Sequence, residues 1–218
     1  MQLPPPLFDL FTAVAAEHPY RRELLAALIE HESGWNPLAV GDTTWTRDQI
    51  LAAYRTGGLA AAKASGASLG LGQINAVHWT DSLNPEVLLT PGVNLQFAAR
   101  LLAQHYTAAG GDQREALRRY NGVLPVGTPR YEQRERTYVD VIMAWADQAG
   151  REGIHRGPPP PAPSGPSPAP AGFPASPAGA VTITLTGIDL RAMRQAQSVL
   201  RRLLQAARAA GLTEVVQP

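Results

Sequence analysis

A mainly α-helical domain over residues 1–150, a Pro-rich linker over 151–180 and a small strand-plus-helix module over 181–218 is the architecture this sequence predicts. Three observations predict it. Apolar residues before position 150 recur three and four apart rather than alternating. Several of these runs open on Pro or on a capping-box pair. From Gly157 to Ala180 the chain is dominated by Pro, Ala, Ser and Gly, a composition that cannot build a packed core and reads as extended.

In chain order, helices are expected at Leu7 to Glu17, Pro19 to Ser33, Arg47 to Tyr54, Pro91 to Ala108, Arg114 to Tyr120 and Tyr131 to Gln148. Pro19 sits in a first helical turn, and Gly34 and Pro37 stop the second helix. Thr46 with Gln49, and Asp112 with Glu115, have capping-box spacing. Leu95, Ala98, Ala99, Leu101 and Leu102 make a broad apolar face that reads as core. Everything else up to residue 150 reads as loop. After the linker, Val181 to Thr186 alternates β-branched residues as a strand would. From the good N-cap Asp189, Leu190, Met193, Gln197, Leu200, Leu204 and Ala207 then trace an amphipathic helix. Such a short module is hardly stable alone, so it is expected to dock on a partner, self-associate or anchor the chain in an assembly, or else to fold back on the first domain.

Three short motifs carry the chemistry. Glu32 ends the second helix on the same face as Leu25 and Leu28, among apolar side chains and near the negative end of the helix dipole. Desolvation and the dipole both disfavour its charged form and raise its pKa towards the range of a general acid. Glu30 points to another face. In Gly70-Leu71-Gly72-Gln73-Ile74-Asn75 the glycines allow close backbone approach, and Gln73 offers an amide donor and acceptor suited to hydroxyl and acetamido groups. In Tyr120-Asn121-Gly122 a phenol and a second amide end a short helix. Each motif alone also reads as an ordinary helix end or turn; in this order they describe a sugar-cleaving cleft with one acid.

Residues Ile29 to Pro37, Ser68 to Asn75, Asn94-Leu95 and Arg119 to Gly122 resemble the soluble lytic transglycosylase superfamily. The Gly-Leu-Gly-Gln-Ile-Asn form is most similar to the branch found in type IV secretion and conjugation systems and in phage virions. The resemblance covers about residues 7–148. It implies a lysozyme-like helical catalytic domain that cleaves peptidoglycan between N-acetylmuramic acid and N-acetylglucosamine. It implies Glu32 as the catalytic residue, first acid and then base, closing the muramic 6-hydroxyl on C1 to a 1,6-anhydro product. Ser33 would hydrogen-bond near the cleavage site, Gln73 would contact an acetamido group, Tyr120 would hold the Glu32 carboxyl, and Asn121 would contact sugar or brace its loop. Gly70 and Gly72 would line the substrate. Gly72 stands where many relatives carry Met, so a thioether contact with the sugar is missing.

Ordinary glycosidases pair two carboxylates, and the motifs hold no obvious second one, which fits transglycosylation better than hydrolysis. Asp42 is the nearest candidate and reads as a loop residue or helix cap. A hydrolytic muramidase with the same cleft, and an inactive wall-binding or structural tail protein, are the rival readings. Trp35 and Trp79 lie near the motifs, where rings can stack on sugar, although packing is the commoner fate of Trp.

Composition narrows the partners. With 19 basic and 18 acidic residues the chain carries no global charge suited to nucleic acid. Residues 1–150 hold 12 basic and 15 acidic residues against 7 and 3 in 151–218, so the tail leans basic and suits an anionic wall or membrane. There is no Cys, and His18, His31, His78, His105 and His155 lack metal-ligand spacing; no metal or organic cofactor is implied. No segment approaches the length of a spanning helix. The start of the chain lacks a basic n-region and Asp9 interrupts its apolar stretch, so it is expected to be the first helix rather than a signal peptide. Peptidoglycan would then be reached in a phage virion, through a secretion apparatus to the periplasm, or after lysis. Phage-tail or secretion-apparatus proteins are the partners expected for residues 181–218.

Overall fold

The computed structural model describes residues 1–122 and 124–158. The expected strand-plus-helix module at 181–218 and most of the linker lie outside the described residues. The chain runs β1 (Gln2–Leu3), α1 (Pro5–Ala15), α2 (Arg22–Ser33), β2 (Val40–Gly41), α3 (Arg47–Lys63), β3 (Ser68–Leu69), β4 (Ile74–Asn75), α4 (Pro85–Leu88), α5 (Pro91–Ala108), α6 (Gln113–Tyr120), α7 (Pro129–Arg134), a π turn (Glu135–Val139), α8 (Asp140–Glu152) and β5 (His155–Arg156). This is the mainly helical domain that the periodicity predicts.

The domain is built around α2. Every residue from Leu24 to Ile29 is fully buried, so this helix is apolar on all sides and must be wrapped by others. It packs against α8 and α1, while α5 packs against α1 and α6. Trp35 and Trp79 belong to this core: they are 4% and 1% exposed, Trp35 meets Phe11 edge-on at 5.6 Å, and Trp79 Nε1 donates to the Ile74 carbonyl at 2.9 Å.

The helix starts and stops follow local chemistry. Thr46 and Gln49 form a reciprocal capping box on α3. Asp112 caps α6 by accepting from the Arg114 and Glu115 backbone N–H groups, but Glu115 turns away to Arg118 and Arg119 instead of completing a box. α3 continues to Lys63, beyond the expected end at Tyr54, because Gly58 (φ 72°, ψ −169°) kinks it rather than ending it. α2 starts at Arg22 rather than Pro19, since Arg21 is extended.

Two expectations are corrected. Residues 1–150 are not helix and loop alone: β2, β3 and β4 form a small antiparallel sheet with Val40 opposite Leu69 and Ser68 opposite Asn75. Strands of two residues are too short to show an alternating pattern. Nor does the folded domain stop at residue 150. α8 runs to Glu152, Ile154 is buried, and β5 pairs in parallel with β1, Gln2 opposite His155 and Leu3 opposite Arg156. The polar run Arg151–Arg156 shows no core periodicity; its order comes from backbone pairing with the start of the chain. No described helix is long and apolar enough to cross a membrane.

Leu28 lies one turn below Glu32 and is fully removed from water. Leu28→Ala is expected to cost about 2–5 kcal/mol of stability, read as a lower urea midpoint at unchanged m-value.

Candidate active site

α2 delivers Glu32 at its last turn, and Gly34, left-handed at φ 56°, ends the helix with its N–H on the Glu30 carbonyl at 2.9 Å. The carboxyl is largely removed from water, and this desolvation pushes its pKa from the ordinary 4.5 up to about 7. The Tyr138 hydroxyl donates to Glu32 Oε1 and opposes the rise, while the negative charge of Asp42 adds to it. Burial holds the Tyr120 and Tyr138 phenols well above their ordinary range, so both are neutral donors beside a carboxyl that can exist in either form near neutrality.

Tyr120 does not hold the Glu32 carboxyl. Its hydroxyl donates to the Gly72 carbonyl at 2.7 Å, and the phenol that reaches Glu32 is Tyr138. The cause is placement: α6 ends against the glycine loop, whereas the π turn aims Tyr138 at the end of α2. Sequence reasoning placed a helix there but passed over Tyr138. One signal was available, since Tyr138, Ile142, Ala146 and Ala149 form the buried stripe of that helix and a buried phenol needs a partner. The π turn itself has no such signature.

The glycine loop is a backbone structure held by one side chain. Asn94, at the start of α5, is fully buried; its Oδ1 accepts the Gly72 N–H at 2.8 Å and its Nδ2 donates to the Leu69 and Leu88 carbonyls at 2.8 and 2.9 Å. Gly70 is left-handed at φ 75°, and a Cβ there would lie 2.3 Å from Asn94 Nδ2. At Gly72 a Cβ would lie 2.3 Å from the Ala98 Cβ and 2.8 Å from the Tyr120 hydroxyl. Gly72 is therefore a packing necessity in this chain, and no space awaits the thioether that relatives place there.

The remaining residues are close by. Gln73 is left-handed at φ 47°; its Nε2 donates to the Gly70 carbonyl at 2.9 Å and its Oε1 lies against Gly41, 2.3 Å from where a Cβ would stand. The Ser33 hydroxyl donates back to the Ile29 carbonyl at 3.2 Å. Asn121 is exposed at the end of α6, where it is the C-cap residue. Asp42 caps no helix. It is exposed, left-handed at φ 59°, and accepts the Ser68 hydroxyl at 2.5 Å, while Asn75 Nδ2 donates to the same Ser68 oxygen at 3.2 Å. The described non-glycine residues with left-handed backbone are Trp35, Asp42 and Gln73, all within the segments that surround Glu32, the kind of clustering that strained backbone shows at functional sites. Among the described residues no group of His, Asp and Glu is arranged to hold a metal.

This arrangement can lend and recover one proton at a partly dry carboxyl flanked by neutral donors. Comparison with known families agrees: the model for the transglycosylase SLT domain matches residues 9–136. The chain belongs to the transglycosylase SLT family. An SLT domain implies a lytic transglycosylase with peptidoglycan as its substrate. The match to the SLT model takes in Glu32, the glycine loop and Tyr120-Asn121, and stops two residues short of Tyr138. No curated protein and no solved structure matches the chain.

Two measurements probe this site. Asn94→Ala strands the Gly72 N–H and the Leu69 and Leu88 carbonyls in the interior; at about 1–3 kcal/mol for each unmet buried group, a loss of more than about 3 kcal/mol is expected in chemical denaturation. Glu32 folds with a raised pKa, so its ionisation works against the native state as pH climbs from about 4.5 to about 7. Glu32→Gln removes that penalty and is expected to be more stable than wild type at pH 8, by up to about 3 kcal/mol, and no more stable at pH 4.

Proposed function

We propose that this protein cleaves the β-1,4 bond between N-acetylmuramic acid and N-acetylglucosamine without water, leaving 1,6-anhydro-muramic ends. The observation that carries this reading is the state of Glu32, a largely desolvated carboxyl poised near neutrality that accepts a hydrogen bond from the neutral Tyr138 phenol. Protonated Glu32 gives its proton to the glycosidic oxygen as the bond to C1 breaks and oxocarbenium character develops. The resulting carboxylate then takes the proton of the muramic 6-hydroxyl while that oxygen bonds to C1. The proton is recovered and no water is consumed. A pKa near neutrality serves both halves, since the acid must be loaded at the start and the base must be competent after it. Tyr138 steadies the carboxylate between the two steps by donating to it. Gln73, Asn121 and Ser33 are the side chains proposed to contact sugar; Gly70 and Gly72, expected to line the substrate, are instead buried against Asn94, Ala98 and Tyr120 and shape the loop that carries Gln73.

A hydrolytic muramidase is the second reading, and one observation favours it: Asp42 carries an exposed carboxylate whose charge reaches Glu32. An inactive wall-binding or structural tail protein has less support, because Glu32 keeps both its burial and its phenol. The setting we propose is local wall opening by a phage tail acting in the host periplasm, or by a secretion machine. Support comes from the form of the glycine loop and from the Pro-rich stretch followed by the strand-plus-helix pattern of 181–218, which suits attachment to an assembly.

Mass spectrometry of muropeptides released from purified peptidoglycan tests the reaction. Wild type is expected to release anhydro-muramyl products, with a rate that falls as pH rises through about 7 because the acid form of Glu32 is lost. Glu32→Gln is expected to lower that rate by at least about 10²-fold. Reducing muramic ends would shift the assignment to hydrolysis and to Asp42, and no product from either protein would favour the structural reading.

A further inference from the structure

His31 precedes the acid in sequence, and no part of the mechanism above uses it. Its surroundings are specific. Ring Nε2 lies 3.2 Å from the Thr137 carbonyl, the imidazole meets the Tyr138 ring edge-on at 4.9 Å, and the exposed Trp145 on α8 lies over it at 5.9 Å. A carbonyl oxygen only accepts, so Nε2 must carry a proton, as in the Nε2–H tautomer or the imidazolium. The contacts come in register: His31 bonds Thr137 and its neighbour Glu32 accepts from Tyr138, two consecutive residues of α2 tied to two consecutive residues of the π turn. Two adjacent tethers fix its direction.

The π turn needs such help. Its wide hydrogen bond, from the Asp140 N–H back to the Glu135 carbonyl, is a rare helix geometry that recurs at functional sites. From α6 it is held by ion pairs to Glu135, from Arg118 at 2.7 Å and Arg114 at 3.3 Å. Those contacts hold the front of the turn, and Arg114 also pairs with Asp140, the residue that closes it, at 2.5 Å. At its rear, where Tyr138 departs, the side chain from α2 that bonds the turn's backbone is His31.

We propose that His31 is a positioning residue for the acid: by bonding the Thr137 carbonyl and packing on the Tyr138 ring, it locks the π turn so that the Tyr138 hydroxyl stays on the Glu32 carboxyl. The inference rests on the reading of Glu32 as the acid only for its catalytic consequence. Its geometric content is independent of any reaction.

The test therefore reads the Glu32 carboxyl directly, by ¹³C NMR titration of the full chain. The charged and titratable groups that act on Glu32 are Tyr138 from the π turn, Tyr120 from α6 and Asp42 just after β2, and only the Tyr138 contact should change. A donated hydrogen bond favours the ionised carboxylate, so losing it raises the pKa. Tyr138→Phe is expected to raise the Glu32 pKa by about one unit, and His31→Leu to reproduce most of that rise. His31→Gln, which keeps an N–H donor, should stay near wild type, and His31→Leu with Tyr138→Phe should give no more than Tyr138→Phe alone. A Glu32 pKa unmoved by His31→Leu, or shifts that add fully in the double variant, would overturn the proposal. So would ¹⁵N spectra of wild type showing His31 protonated at Nδ1 only, a result that needs no variant to fold. Activity on peptidoglycan is scored separately, so failure of the proposed reaction leaves this measurement interpretable.

Discussion

The contact between the Tyr138 hydroxyl and the Glu32 carboxyl balances two opposed demands. Burial at the end of α2 lifts the proton affinity of Glu32 far enough to make it an acid near neutrality, while an ionised carboxylate left dry and unpartnered would be too costly to form. One donated hydrogen bond makes the second state reachable without undoing the first. Much of the fold serves that contact. α2 is buried on every side from Leu24 to Ile29 and brings Glu32 to the edge of that core, and the helix after α7 departs from α geometry at the turn that presents Tyr138.

The opposite wall of the site is organised on a different principle, backbone groups saturated by one buried amide. Asn94 spends its oxygen and both amide protons on three segments, so the glycine loop is fixed relative to α4, α5 and the small sheet without relying on side chains of its own. Glycine is required twice in that loop for different reasons, at Gly70 by a left-handed backbone and at Gly72 by contact with α5 and Tyr120. Strained residues border this wall, and the core of Trp35, Phe11 and Trp79 supports them. Stability is thus invested in holding a few atoms in a geometry that the chain would not adopt locally.

The long helices were legible because each declares itself within a few residues: α5 starts and ends where Pro91 and its apolar face say it should, and α3 starts at the box of Thr46 and Gln49, whereas the four-residue α4, read as loop, is too short to show a period. Glu32 was legible for the same reason, being a charged residue in an apolar helical stripe next to a stop signal. The small sheet was not, because two-residue strands have no period. The reach of the domain past residue 150 was not, because β5 is held by backbone pairing with β1, more than 150 residues away in sequence. The phenol partner of Glu32 was not legible for a related reason: a tyrosine in a motif shows that a hydroxyl is available, and only the packing of α6 and the π turn says which acceptor each hydroxyl meets.

Taken alone, then, the sequence determined what acts over short distances: the helical class, the placement of Glu32 at the end of an apolar helix, the glycines of the loop and the family to which they belong. The tertiary structure decided what depends on residues far apart in the chain. Tyr138 rather than Tyr120 partners Glu32, Asn94 holds the glycine turn, and Asp42, the loop residue that the sequence allows, bonds Ser68. The division follows from range. Propensity, capping and turn chemistry are set within one or two turns of chain, whereas desolvation and hydrogen-bond partnership depend on which elements meet, and in this domain the decisive meeting joins residues 106 positions apart.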